Sequence, residues 1–150
     1  MRTLLKLVVI IAITSGSSLA QSTSNDAGAT VFVYMPHHSA TTWRFSGKFY
    51  VDGARVAEIS KNRYFVLHLK PGTHAFYVRD KKLGGIELAM VSGQTYYLKV
   101  NVDEGGLRVK FRGVSVVPEA EGAFAIKQIQ PIKIGDVYDK ALVDLQTVSR

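Results

Sequence analysis

The sequence predicts a mainly β protein: a single antiparallel β-sandwich carrying one or two short C-terminal helices. Three observations support this. Apolar and polar residues alternate in short runs with turn signals roughly every eight to twelve residues. The dipeptides Asp52-Gly53, Pro71-Gly72 and Ser92-Gly93 punctuate those runs. Past Pro118 the strict alternation gives way to a helix-compatible pattern.

Thr30 to Met35 reads as a first strand, apolar on both faces, ended by Pro36, which lacks a backbone donor. In "GKFYVDGARVAEI" the Asp52-Gly53 pair suits a two-residue hairpin, since both turn positions take positive φ. That loop pairs Val51 with Ala54 and Phe49 with Val56, and leaves Lys48, Tyr50 and Arg55 on the opposite face. A four-residue loop around Pro71-Gly72 predicts a second hairpin, with Leu69 opposite His74, Leu67 opposite Phe76 and Phe65 opposite Val78. A third, turning at Ser92 to Gln94, sets Ile86, Leu88 and Met90 against Val100, Leu98 and Tyr96. After "DEGG", Leu107, Val109 and Phe111 point inward and Arg108, Lys110 and Arg112 outward, until Gly113 kinks or bulges the strand. Pro118, Glu119 and Glu121 mark the start of a short helix, with the acids favoured by the helix dipole. Asp136 to Leu145 carries a second stripe at helical spacing.

The first twenty residues point to export. Arg2 and Lys6 precede an apolar run, Leu7 to Ile13, followed by small polar residues and Ser18-Leu19-Ala20, the layout of a secretory signal peptide cleaved after Ala20. A membrane span needs about 20 apolar residues, and this run breaks at Thr14. With no cysteine, the chain has neither disulfides nor a thiol for lipid attachment, and Gln21 stands where a lipoprotein needs Cys. The expected organisation is a signal peptide over 1–20, a disordered leader over 21–29, the sandwich over 30–130 and a helical extension over 131–150. The formal charge of +7 falls to +5 once Arg2 and Lys6 are removed, so the mature chain is basic and attracted to anionic surfaces.

The succession "VFVYMP", "FYVDGARVAEI", "RYFVLHLKPGTHAFYV" and "SGQTYYLKV" resembles a family of bacterial exported domains and lipoproteins classed as a domain of unknown function and related to PEGA-type surface modules. The likeness rests on Val51-Asp52-Gly53, on Pro71-Gly72-Thr73-His74, and on Gly93 with Tyr96 and Tyr97, across about residues 29 to 130. It implies a PEGA-like or immunoglobulin-like sandwich and an extracytoplasmic location, with no activity attached.

Catalytic chemistry finds little support. There is no cysteine and no G-x-S-x-G elbow, and Gly84-Gly85 and Gly105-Gly106 lack the context of a phosphate loop. His37 and His38 are adjacent, so on extended backbone they diverge rather than share a metal. His74 reads as a rim or core histidine bonded to a backbone carbonyl, and the solvated turn of Asp103 and Glu104 keeps ordinary carboxylates. No enzyme, cofactor or metal is expected. The sharper candidate is a surface: Tyr97, Lys99, Arg108, Lys110 and Arg112 form a basic, aromatic-bearing sheet face suited to an anionic envelope component or an acidic protein. Export argues against nucleic acid. The second candidate is the 35–47 loop, where Trp43 and Arg44 would serve an accessory protein that binds a small ligand or, alternatively, a metal.

Overall fold

The computed structural model describes residues 28–36, 46–79, 84–103 and 110–149. Among the described residues, nine strands and one α-helix follow in order: β1 (Ala29–Met35), β2 (Ser46–Val51), β3 (Ala54–Ser60), β4 (Arg63–Leu69), β5 (Gly72–Val78), β6 (Ile86–Met90), β7 (Thr95–Asp103), β8 (Lys110–Val117), α1 (Glu119–Ile126) and β9 (Gln130–Pro131). They build the predicted mainly β sandwich from a five-stranded sheet, β8-β7-β1-β4-β9, and a four-stranded sheet, β3-β2-β5-β6.

Between the sheets lies one apolar core, including Val31, Val33, Phe65, Leu67 and Leu98 from the first sheet and Phe49, Ile59, Phe76 and Val78 from the second. Phe49 and Phe65 meet edge to face across it, with ring centroids 5.4 Å apart. Without disulfides, this burial supplies the main driving force for folding.

Two of the expected hairpins are instead crossings between sheets. β4 pairs with β1 and β9, whereas β5 pairs with β2 and β6, so Pro71-Gly72 turns a corner from one sheet to the other. His74 accordingly lies opposite Leu88, not Leu69. In the same way β6 joins β5, while β7 joins β1 and β8. The Tyr96 hydroxyl fills that second corner, accepting the Val91 N–H at 3.0 Å. The sandwich is also not purely antiparallel: β1 runs parallel to β7, and β4 parallel to β9.

The Asp52-Gly53 hairpin forms with Val51 opposite Ala54, but Phe49 faces Ala57 rather than Val56. A bulge opposite the Phe49–Tyr50 step leaves Val56 as the extra residue and turns both Val56 and Ala57 inward. The expected bulge at Gly113 is present, with φ of 125° and a register shift opposite Asn101 and Val102. Its purpose is contact: the Val114 N–H donates to the Gly84 carbonyl at 3.0 Å, and a side chain at Gly113 would strike the Gly84 backbone.

The C-terminal segment is not the second α-helix expected over Asp136 to Leu145. It contains short 3-10 turns at Ile134–Asp136 and Leu145–Thr147, joined by a turn over 140–142 between single bridge residues Val137 and Val143. Its amides bond to the open edges of both sheets. Tyr138 N–H donates to Val56 O at 2.9 Å, Asp144 N–H to Val66 O at 2.9 Å, and Leu142 O receives His68 N–H at 3.0 Å. Ile132, Val137 and Val143 enter the core. Edge backbone competes with helix formation here because strands β3 and β4 offer unpaired donors and acceptors.

Candidate functional site

The basic face expected on β7 and β8 is covered at one end. Helix α1 lies on β7, and Gly122 rests against the Tyr97 ring so closely that a β-carbon would strike it. Tyr97 is 9% exposed and stacks on Phe32 with ring centroids 5.1 Å apart, so it is not the exposed stacking platform the alternation implies. Burial first, then the Glu119 charge, raises the Tyr97 phenol. Tyr34, beneath the same helix, is pushed up to about 12 by burial and then by Glu121. This cover explains why β1 is apolar on both faces.

The cations of that face have acidic partners close by. Lys99 Nζ lies 3.5 Å from Glu121, and Arg112 pairs with Asp103. Lys110 is exposed, and Arg108 lies outside the described residues, as do Trp43, Arg44, His37 and His38.

A different cluster gathers on the outer face of the second sheet. Alternation along β2 sends Gly47, Phe49 and Val51 into the core and Lys48 and Tyr50 outward. On the neighbouring β5, Tyr77 sits directly opposite Tyr50, and their rings stack 5.0 Å apart at 4°. Across the other edge, Glu58 of β3 is opposite Lys48, yet it does not pair with it. The Glu58 carboxylate is instead held by three neighbours. Ser46 Oγ donates to Oε1 at 2.5 Å, Arg55 donates to Oε2 at 3.0 Å, and the Tyr138 hydroxyl donates to Oε2 at 3.4 Å. The Ser46 bond outweighs the burial that opposes it, and with Arg55 and Tyr138 it holds the Glu58 carboxyl below its usual range. The Arg55 guanidinium lies 3.3 Å from the Tyr138 ring centroid, a cation–π contact that ties the C-terminal segment to this face.

Ser46, Gly47, Lys48, Tyr50, Glu58 and Arg79 line a concavity of about 330 Å³. Lys48 and Arg79 are exposed at it, and among the described residues neither has a carboxylate partner. Arg79 also takes φ of 64°, a left-handed conformation that costs a non-glycine residue about 1–2 kcal/mol. Its N–H still bonds Lys48 O at 3.0 Å, so backbone pairing fixes the two cations side by side. The sequence pattern places Lys48, Tyr50 and Arg55 together on one face. It gives no sign of Glu58, Arg79 and Tyr138, which come from separate elements. Ser46 and Gly47 end the 35–47 segment, so one end of that loop does reach this site.

A second concavity, about 290 Å³, lies at the end of the sandwich between Pro36, Asn62, Phe124, Ala125, Gln128 and Ile129. The two described histidines, His68 and His74, each bond a neighbouring segment. His68 Nε2 is 3.4 Å from Asp144, and His74 bonds the Lys70 carbonyl as expected, with Asp52 on its other nitrogen. Among the described residues no three acidic or histidine side chains converge on a metal-sized centre, and no helix is long and apolar enough to cross a membrane.

A two-sheet sandwich with one helix-covered face and one polar, open face defines the architectural class. The chain belongs to the family described as Protein of unknown function (DUF2846), whose model matches residues 25–114. That match runs from before β1 to the middle of β8, and α1 and the C-terminal segment lie beyond it. No curated protein and no solved structure matches the chain.

Proposed function

We propose that this protein is a non-catalytic binding module of the cell envelope, working outside the cytoplasm after removal of residues 1–20. It docks an anionic envelope component through the outer face of the β3-β2-β5-β6 sheet. The observation that carries this reading is the pair Lys48 and Arg79, both exposed at one concavity and, among the described residues, neither paired with a carboxylate. The cations of the β7-β8 face contrast with it, since Lys99 and Arg112 have acidic partners. Uncompensated surface charge attracts an anionic partner over a Debye length, about 10 Å at 0.1 M salt. The resemblance to PEGA-type surface modules accords with an envelope role, and Gln21 in place of cysteine accords with a form that is not lipid-anchored.

Two experiments test this. Mass spectrometry of the protein isolated from its host should find an N-terminus at Gln21. Co-sedimentation with isolated envelope fractions should show binding at low salt that weakens at high salt. Absence of binding at either salt overturns the proposal.

A further inference from the structure

We infer that the concavity between Ser46 and Arg79 is a saccharide site, and that its ligand is an acidic sugar rather than an acidic peptide. This rests on the docking reading above and names its ligand class. Three features decide it. First, the site mixes signs. Lys48 and Arg79 favour a negative group, but the Glu58 carboxylate sits among them, opposite Lys48, and its hydrogen bonds keep it ionised. A peptide run of carboxylates has no hydroxyl to offer that fixed charge and is repelled by it, whereas a sugar presenting several hydroxyls beside each acid group satisfies both halves. Its acid reaches the cations and its hydroxyls donate to Glu58. Second, the acceptor is positioned beforehand. Ser46, Arg55 and Tyr138 hold Glu58 from different elements, and Oε1, which accepts only from Ser46, retains capacity for a further hydrogen bond, whereas Oε2 already accepts two. Third, the donors around it are numerous and of the right kind. Lys48 and Arg79 line the space, and the hydroxyl of Tyr50, also in the lining, belongs to a ring held rigid by stacking on Tyr77 of the same face. At about 330 Å³ the space falls at the small end of ligand sites, suited to one or two sugar rings.

The test is titration calorimetry of the purified protein at low salt with three probes of similar length: oligoglucuronate, a neutral glucose oligomer and oligoglutamate. The inference predicts that oligoglucuronate binds at least tenfold tighter than either of the others. It also predicts that Glu58→Gln weakens oligoglucuronate about tenfold while leaving oligoglutamate unchanged or tighter, a divergence that general damage to the fold would not produce. Equal affinity for oligoglucuronate and oligoglutamate overturns the saccharide assignment and leaves anionic docking standing. Equal affinity for the neutral and acidic sugars overturns the role of the cations. Failure of both anionic probes to bind overturns this inference and the docking reading together.

Discussion

His74 Nδ1 lies 2.6 Å from Asp52 Oδ2, while its Nε2 lies 2.9 Å from the Lys70 carbonyl. Both neighbours offer acceptor oxygens, an arrangement that favours the doubly protonated, cationic imidazole. The contact ties the β2-β3 turn to the corner between β4 and β5. Burial alone would lower His74, but the Asp52 and Lys70 bonds outweigh it and raise its pKa above 6.5. Burial likewise opposes Asp52, whose carboxyl is nonetheless lowered below 3.8 by the Ala75 amide and by His74.

Stability should therefore depend on pH in a definite direction. A raised histidine stabilises the fold fully below its unfolded value and loses that contribution as pH rises through its folded value. A lowered aspartate stabilises above its unfolded value and loses it as pH falls through its folded one. The pair contributes most between about 3.8 and 6.5. Thermal melts should show Tm falling from pH 6 to pH 9 more steeply in the native protein than in His74→Gln. Equal slopes would refute the ion pair.

Helix α1 should depend on the small residue at its contact with β7. Gly122→Ala places a methyl group into the Tyr97 ring and should cost about 1–3 kcal/mol in urea unfolding. Phe124, 67% exposed on the same helix, is the control. Phe124→Ala should change stability by no more than about 0.5 kcal/mol.

The C-terminal segment should unfold together with the sandwich. Ile132 is fully buried, so Ile132→Ala should cost about 2–5 kcal/mol and preserve a single transition. Hydrogen exchange checks the same point, because the His68 and Asp144 amides bond between this segment and β4 and should share the slowest protection of the core. A separate, early transition would show that the segment is only loosely attached.

Much of the fold was legible because alternation reports which face a residue occupies. The alternation puts Phe65, Leu67, Phe76 and Val78 on inward faces, and all four lie in the core. Alternation does not report the strand's partner. A hairpin and a corner between two facing sheets bury the same residues, so the Pro71-Gly72 and Ser92-Gly93 turns read as hairpins although the chain changes sheets at both. Outward-facing residues were harder still. Tyr97 follows the exposed parity of β7, and only the glycine at 122 hinted that a helix could pack flat against it. The candidate site was half visible, with Lys48, Tyr50 and Arg55 on one face. Glu58, Arg79 and Tyr138 reach it through the β2-β3 bulge, a left-handed residue and a docked C-terminal segment, none of which follows a two-residue period.

The most direct test compares the two basic faces by charge reversal. Lys48→Glu with Arg79→Glu and, separately, Lys99→Glu with Lys110→Glu change net charge equally. Envelope co-sedimentation at low salt should be lost in the first pair and largely kept in the second. Equal loss in both would mean that net charge alone drives adhesion, and loss confined to the second pair would return the docking face to β7 and β8, contradicting the assignment to the open sheet.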